Sequence, residues 1–450
     1  MEFDLTKGGC VRVITLYSIP IIIGNVFQQC YQLVDSIIVG RNVSYQALAG
    51  LGVSNGITFF IFGFVLGITS GMGICMAQAF GRGDYAQLRR SFATSLVICA
   101  VTALALTGAG VALCGPVLHW MGTPAEVYDY AYGYLIVMVL GIVATMAYNM
   151  IACALRAIGD SRTPLYFLIF SSVVNVGLDM LFIVRWDWGV QGAALATMIS
   201  QALSALLSFG YAMRKYQFLR LSRADFALRA DEVKEHLRIG MPMALQFSIV
   251  SIGLILLQAA LNEFPATYIA GFTAANKIQN IGALVAMAFG TAIANFAGQN
   301  YGAGDMQRVR RGVRTTLGIV MAVCVVSSSA LLLWPDVFTS MYVDAEMAAL
   351  PNVGEIYYSS GQYLFVTAIF FPFLYLIFVY RNALQGIGRT FWPLMAGLLE
   401  LAIRCVASFT LPKVWGYNGI VMIDMLAWIG AGVMLVVAYY WIMRKVENRV

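Results

Sequence analysis

Charged side chains are scarce in this chain of 450 residues. Asp, Glu, Lys and Arg make up 11% of it, hydrophobic residues make up 60%, and the mean hydropathy is +0.78. A soluble domain carries roughly twice that share of charged residues. The composition therefore excludes an ordinary soluble domain.

Residues that build metal and nucleotide sites are also few or unsuitably spaced. The eight cysteines form no Cys-x-x-Cys or Cys/His pattern, so the sequence predicts neither disulfides nor a cysteine metal site. The two histidines are His119 and His236. No Gly-Lys dipeptide occurs, which excludes a P-loop and hence an ATP-driven pump. With no nucleophile–base pair and no cofactor motif, the chain is not expected to be an enzyme.

Long apolar stretches fill most of the chain instead. About 20 apolar residues in a helix cross the roughly 30 Å hydrocarbon core of a bilayer. Twelve such stretches lie at 13–39, 46–76, 92–114, 127–153, 163–184, 190–213, 236–261, 268–295, 308–334, 355–384, 391–411 and 416–443. The sequence therefore predicts an all-α integral membrane protein with twelve transmembrane helices.

The chain also contains an internal duplication. Residues 80–91 read FGRGDYAQLRRS, and residues 301–312, at an offset of 221, read YGAGDMQRVRRG. ALRAIGDSRTP at 154–164 recurs as ALQGIGRTFWP at 383–393, at an offset of 229. Duplicated halves in so apolar a chain indicate a membrane transporter whose site lies between the repeats.

One long polar connection separates the halves. We therefore predict an N-terminal six-helix lobe at 1–220, a cytoplasmic linker at 221–235 and a C-terminal six-helix lobe at 236–450. Six spans per half insert both lobes in the same orientation, so a pseudo-twofold axis along the membrane normal should relate them.

The distribution of basic residues predicts the orientation. Most of the 28 basic residues fall on one side of this topology, and only Arg41, Arg185 and Lys413 fall on the other. By the positive-inside rule both termini are cytoplasmic. The net charge of +6 then reflects membrane topology, and no nucleic-acid partner is expected.

Glycines predict two local features. In the duplicated Gly-x-Gly-Asp segments they allow a tight turn, with the Asp capping the next helix and the following arginines facing lipid headgroups. Gly63, Gly67 and Gly71 form a row of small residues that lets another helix approach closely.

The first half places acids inside its spans without bases. Asp35 ends a polar stripe with Asn25, Gln28 and Gln32, and Asp179 lies in the fifth span. Two carboxylates at low dielectric cannot both stay charged without a cation, so each must take a proton or share a metal ion. The alternative is that both acids are rim residues or hydrogen-bonded structural groups.

The second half is balanced. Glu400 and Arg404 lie four residues apart in the eleventh span, with Asp424 and Lys277 in the twelfth and eighth. Two acids and two bases need no external ion, so this charged cluster is as compatible with a structural role as with a functional one.

These features resemble the multidrug and toxic compound extrusion (MATE) family. The resemblance is carried by IPIIIGNVFQQCYQLVDSIIVG at 19–40, AQAFGRGDYAQLRRS at 77–91, ALRAIGDSRTPLYF at 154–167, NVGLDMLFI at 175–183 and AGQNYGAGD at 297–305. It implies two six-helix lobes around a V-shaped cavity, with drug export driven by inward Na⁺ or H⁺.

The resemblance also implies the site residues. Asp35 matches the family's span-one acid, and Asn175, Asp179 and Thr197 match its first-lobe cation site. If the coupling ion is Na⁺, its expected ligands are Asp35, Asn175 and Asp179. The second-lobe acids of the NorM-type pattern are missing, with Val250 near one of those places. The chain is therefore closer to the DinF-type pattern.

The combined prediction is a secondary active multidrug efflux antiporter. It would export cationic or amphiphilic organic compounds in exchange for H⁺ or Na⁺, as a monomer in the bilayer of the bacterial inner membrane and without any other cofactor. The candidate substrate-cavity residues are Gln28, Tyr31, Gln32, Gln201 and Gln246. The alternatives are a lipid-linked oligosaccharide flippase, which needs a more cationic cavity, and a channel.

Overall fold

The computed structural model describes residues 4–343 and 345–447, and fifteen α-helices make up most of these residues. In the first half these are α1 (Cys10–Asn42), α2 (Tyr45–Gly81), α3 (Tyr85–Trp120), α4 (Ala125–Leu140), α5 (Ile142–Ala157), α6 (Arg162–Asp179) and α7 (Gly189–Lys215). In the second half they are α8 (Ala230–Leu261), α9 (Ala266–Gly302), α10 (Met306–Leu333), α11 (Pro335–Ser340), α12 (Ala345–Ala348), α13 (Val353–Gly386), α14 (Phe391–Trp415) and α15 (Tyr417–Glu447).

The predicted all-α membrane architecture is confirmed. Within the described residues, 11 helices are long and apolar enough to cross a membrane, and one bent pair makes up to 12. The bent pair is α4 with α5, which meet at 49° around Gly141. A Cβ atom at Gly141 would lie 1.9 Å from the sulfur of Met198 on α7. Hydropathy predicted one span here, 127–153, and does not register the bend, because it contains no information on the neighbouring Met198 side chain.

The duplicated Gly-x-Gly-Asp segments form the turns that the sequence predicts. α2 ends at Gly81, Gly83 has a φ of +74°, and the Asp84 carboxylate accepts a hydrogen bond of 2.8 Å from the backbone N–H of Gln87. In the second copy Gly304 has a φ of +79°. A positive φ favours glycine at these two positions, so each helix pair is joined by a short, rigid turn.

The two copies also contact each other. A Cβ on Gly81 would lie 1.9 Å from the carbonyl oxygen of Gln299, and one on Gly302 would lie 2.0 Å from that of Gln78. The C-terminal ends of α2 and α9 therefore cross backbone against backbone. The N–H of Leu5 donates to Oε1 of Gln299 at 3.1 Å, so the segment before α1 packs at the same crossing.

The predicted close approach along α2 is confirmed as well. A Cβ on Gly67 would lie 2.4 Å from Cα of Ala244, and one on Gly71 would lie 2.3 Å from Cα of Gly240. Both contacts are with the first half of α8, so the row of small residues is the surface on which that helix packs.

The chain folds into two compact units that differ from the predicted lobes in their boundaries. The first comprises the residues through Gly9, Thr15–Ser248 and Gly298–Met306, and the second comprises Cys10–Ile14, Ile249–Ala297 and the residues from Gln307 onward. The main boundary thus falls within α8 rather than in the polar connection, because the first half of α8 packs on α2.

The predicted linker is a folded part of the first unit. It contains a short 3₁₀ helix, Arg223–Phe226. Arg90 forms an ion pair of 3.0 Å with Glu232, and Arg89 one of 3.7 Å with Asp225. Burial alone would raise the pKa of Asp225, but hydrogen bonds from Ser222 and the charge of Arg89 lower it below its usual range. Arg89 and Arg90, the arginines of the first copy that the sequence assigned to headgroups, therefore contact linker acids.

Candidate functional site

The first acid is carried by α1, which runs without interruption through Pro20. Asp35 lies two turns before the end of this helix. Its Oδ1 atom is buried without a hydrogen-bond partner. Tyr31, one turn earlier, interacts with the side chains of Gln28 and Gln32. The polar stripe predicted from spacing is therefore one face of α1.

The second acid ends α6. Asp179 is fully buried, Asn175 is 2% exposed, and a π-helical segment, Met180–Arg185, follows directly. Single π-helical turns within membrane helices are rare and often occur at functional sites. The change of helix type places Asp179 in the last turn of the regular α-helix. No sequence pattern predicted this change.

The structure brings the predicted cation-site residues together. The carboxyl groups of Asp35 and Asp179 are close neighbours. The Asn175 amide Nδ2 donates to Oγ1 of Thr197 at 3.3 Å, and the Thr197 hydroxyl donates to the carbonyl of Ala193 at 3.1 Å. α1, α6 and α7 thus meet at one polar site in the first unit.

The oxygens of this site lack donors. Oδ1 of Asp35, Oδ1 of Asn175, both carboxyl oxygens of Asp179 and Oε1 of Gln201 are buried without hydrogen-bond partners. No ion pair among the described residues includes Asp35 or Asp179. Unpartnered buried acceptors are costly, and a proton or a small cation is the group that would satisfy them.

Tyr134 on α4 is a further member that sequence reasoning missed. It is 9% exposed and lies within electrostatic range of Asp35, Asp179 and Tyr31. Its phenol can donate to a carboxylate. The dense run of tyrosines between 128 and 134 was the available signal, but their directions depend on the packing of α4.

The proposed substrate-cavity residues have different surroundings. Gln28 and Gln32 are exposed on α1, and Tyr31 and Gln201 are half-buried. Gln246, on the first half of α8, is buried. Tyr31 lies within electrostatic range of Asp35 and contacts Gln28 and Gln32. Gln201 lies one turn after Thr197 on α7. The structure gives Gln246 no open surface.

The charged residues of the second half form a closed network. Nε of Arg404 donates to Oδ1 of Asp424 at 2.8 Å, and Nη1 donates to Oε2 of Glu400 at 3.4 Å. Arg381 donates to the other oxygen of Glu400. Gly253 on α8 leaves room for the Arg404 side chain, whose Cδ would lie 2.9 Å from a Cβ there. Two bases therefore neutralise two buried acids.

Lys277 does not belong to this network, which corrects the predicted cluster. Its ammonium lies 5.7 Å from the centroid of the Tyr342 ring. Arg381 takes its place as the second base. The positive-inside count placed Arg381 among the cytoplasmic basic residues at the end of the predicted span 355–384, but α13 continues to Gly386 and holds the arginine within the helix.

The network occupies the same places in the repeat as the first-half site. α6 and α14 begin 229 residues apart, so Arg404 corresponds to Asn175. Where α7 and α15 begin the offset is 227, since Gly189 and Gly416 correspond and have φ of +56° and +57°. Asp424 therefore corresponds to Thr197. The Asn175–Thr197 hydrogen bond and the Arg404–Asp424 ion pair are equivalent contacts.

Sequence comparison gives one family and several relatives. The family model described as MatE matches residues 20–181 and 242–410. The probable multidrug resistance protein YpnP of Bacillus subtilis (strain 168) is 29% identical, over 93% of this chain and 92% of its own length. The FAD transporter of Shewanella oneidensis is 23% identical, over 87% of this chain and 86% of its own.

Solved structures show the same fold. A crystal structure of MATE in complex with MaL6 has a TM-score of 0.88 at 20% identity, covering 99% of this chain and 98% of the other. An outward-facing multidrug resistance MATE family transporter of the MOP superfamily also has a TM-score of 0.88, at 21% identity and the same coverage. At these identities the likeness establishes the fold.

Proposed function

The chain belongs to the MatE family, whose members are transporters rather than enzymes, and we propose that it is a secondary active multidrug efflux antiporter. It exports cationic or amphiphilic organic compounds in exchange for H⁺ or Na⁺ by alternating access. The names of its relatives, among them the probable multidrug resistance protein YpnP, support multidrug efflux.

The observation that carries the coupling mechanism is the set of donorless oxygens around Asp35 and Asp179. Two neighbouring buried carboxylates without a base share a cation or a proton. A cationic substrate in the same lobe is an alternative way to neutralise the same charge. Ion and substrate therefore exclude each other electrostatically, which is what antiport requires.

Of the two ions, the site favours the proton. One proton on either carboxyl supplies a donor to the other and lowers the charge of the pair. A sodium ion would take about four or five oxygens from Asp35, Asn175, Asp179 and Thr197, an incomplete shell for a hard cation. Because the second half neutralises its own acids, coupling in the first lobe fits the DinF-type pattern.

We further place the protein as a monomer in the bacterial inner membrane with both termini in the cytoplasm. The excess of basic residues on the side of the termini supports this orientation. Modification of single cysteines introduced in the loop after α3 and in the linker, with impermeant reagents on whole cells, would test it. Labelling of the linker from outside the cell would contradict the orientation.

Proteoliposome transport tests the function. Efflux of a fluorescent organic cation should follow an imposed pH gradient and should not respond to a sodium gradient alone. Asp35→Asn should abolish the gradient response, while Asp129→Asn, an exposed acid of the same lobe, should keep it. Efflux that needs sodium and ignores pH would reject the proton, and gradient-driven efflux by Asp35→Asn would reject the site.

A further inference from the structure

Arg156 is a basic residue inside the first lobe that the proposed coupling site does not use. It lies in the last turn of α5, and its Nη2 donates to Sγ of Cys153, 3.4 Å away and one turn earlier. α5 starts at the break beside Gly141, inside the span. Helical side chains point toward the N-terminus of their helix, so the guanidinium lies about one turn deeper in the span than its own Cα.

No acid pairs with this guanidinium. Among residues 4–343 and 345–447, no carboxylate forms an ion pair with Arg156, and a thiol sulfur is only a weak acceptor. Its Nε and Nη1 atoms have no partner, yet neither is among the buried polar atoms sealed off without one. These donors therefore face accessible space within a half-buried residue.

The C-terminal end of α5 explains only in part why a cation lies here. The negative end of the helix dipole favours a cation there. The last carbonyls, however, already have donors: that of Arg156 accepts from the Tyr17 hydroxyl at 2.7 Å, and that of Ala154 accepts from the N–H of Ile158 at 3.3 Å. The helix end attracts the guanidinium but leaves most of its N–H groups for another acceptor.

Tyrosines connect Arg156 with the acid pair. Tyr148, on α5, lies within electrostatic range of both Arg156 and Tyr31. Tyr31 in turn lies within range of Asp35. The interior of the first lobe thus has a negative end at the acids, hydroxyl groups in between, and a positive end at Arg156.

We propose that Arg156 binds an anionic oxygen group, a carboxylate or a phosphate, of an amphiphilic ligand held inside the first lobe. The planar guanidinium matches such groups with two parallel hydrogen bonds. A zwitterionic amphiphile can present such a group to Arg156 with its cationic end directed toward Asp35 and Asp179. The inference rests on the proposed function only for the ligand being transported cargo; binding itself needs no gradient.

Equilibrium binding to the full-length protein in detergent tests the site. The probes are a zwitterionic rhodamine with a free benzoate and its methyl ester, a plain cation of the same shape. Arg156→Gln should weaken binding of the free acid about tenfold, the loss of one charge-assisted hydrogen bond, and leave the ester unchanged. Arg156→Lys should restore part of the affinity, because it keeps the charge without the planar fork.

The second half of the chain already has a glutamine at the position that corresponds to Arg156, so Arg156→Gln is expected to fold. At the offset of 229, Arg156 corresponds to Gln385, which is buried in α13 at 3% exposure. Unchanged binding of the ester shows that the variant is folded. Arg162→Gln, an exposed arginine at the same end of the lobe, is the matched control and should leave both dyes unaffected.

A second measurement shows whether the anion that binds Arg156 belongs to a transported ligand or to a lipid headgroup. If a headgroup phosphate is the anion, added phosphatidylglycerol should raise the thermal unfolding midpoint of the wild type and not of Arg156→Gln, while both dyes bind equally. Either dependence on Arg156 supports the anion site and names its source. If dye affinities and lipid stabilisation are the same in both proteins, the proposal is overturned, whatever the gradient experiments show.

Discussion

One pair of equivalent positions is neutral in the first half of the molecule and charged in the second. Asn175 donates to Thr197 over 3.3 Å, whereas Arg404 donates to Asp424 over 2.8 Å. In the second half the arginine also holds Glu400, and the charges cancel internally. In the first half no base among the described residues pairs with Asp35 or Asp179, and these acids keep unpaired oxygens.

The difference shows how the two copies of a duplicated helical bundle can take different roles. Asp179 corresponds to Ser408 at the offset of 229, so the second half has no acid at the end of its fifth span. Its buried charges balance and need no ion, which suits a rigid support. The first half has the unbalanced acids that a coupling ion must satisfy. Four predictions follow from this contrast.

The largest effect is expected at Asp179. Asp179→Asn is nearly isosteric but removes the acid, so gradient-driven efflux should fall by at least about 100-fold, as expected when an essential ionisable group in a membrane span is lost. Ser408→Ala, at the corresponding place, should change efflux by less than about twofold. Proteoliposome transport with equal amounts of inserted protein checks both. Equal losses in the two variants would mean that the halves do not differ in coupling.

The next effect concerns stability of the second half. Arg404→Asn leaves the buried Asp424 without its partner and should cost about 3–5 kcal/mol of unfolding free energy. Adding Asp424→Thr completes the first-half pair and should recover part of that loss. Thermal unfolding midpoints in detergent measure both. A double variant less stable than the single one would show that the network, rather than the pair, is the stabilising unit.

A smaller effect is expected where the halves differ in glycine. Gly71→Ala adds a Cβ that would lie 2.3 Å from Cα of Gly240, and overpacking of this kind costs about 1–3 kcal/mol. Ala292→Gly, at the corresponding position of α9, should cost about 1 kcal/mol through helix propensity. Unfolding midpoints compare the two. If Gly71→Ala is neutral, the contact between α2 and α8 is looser than the structure shows.

The smallest effect is a pH dependence at Asp160, which corresponds to Arg389. Burial alone would raise the pKa of Asp160, but hydrogen bonds from Thr163 and Tyr216 with the charge of Lys215 lower it below 3.8. A lowered carboxyl pKa stabilises the fold above the unfolded-state value, and this contribution disappears as pH falls through the folded-state value.

The stability difference between the wild type and Asp160→Asn should therefore be constant from about pH 7 to pH 5 and shrink below about pH 4. Midpoints of thermal unfolding over this range measure it. Arg389→Gln is the control, since arginine keeps its proton throughout. A difference that stays constant down to about pH 3 would mean that the hydrogen bonds to Asp160 do not require its charge.

The sequence by itself determined the number of spans, the duplication and the two unpaired acids. Hydropathy, repeat offsets and helical spacing follow from the order of the residues alone. A polar stripe such as that from Asn25 to Asp35 can therefore be predicted from a single helix. The turn at Gly83 and the cap at Asp84 were predictable for the same reason. The acids were recognisable because a charge in an apolar span has few explanations.

Only the tertiary structure decided which side chains meet. The break at Gly141 lies against Met198, the second base of the charged network is Arg381 instead of Lys277, and Tyr134 joins the acids from α4. The Arg156 side chain points into the span, where no acid among the described residues forms an ion pair with it. Each of these depends on contacts between helices or on the direction of one side chain. Spacing within a segment carries no information about the segment packed against it.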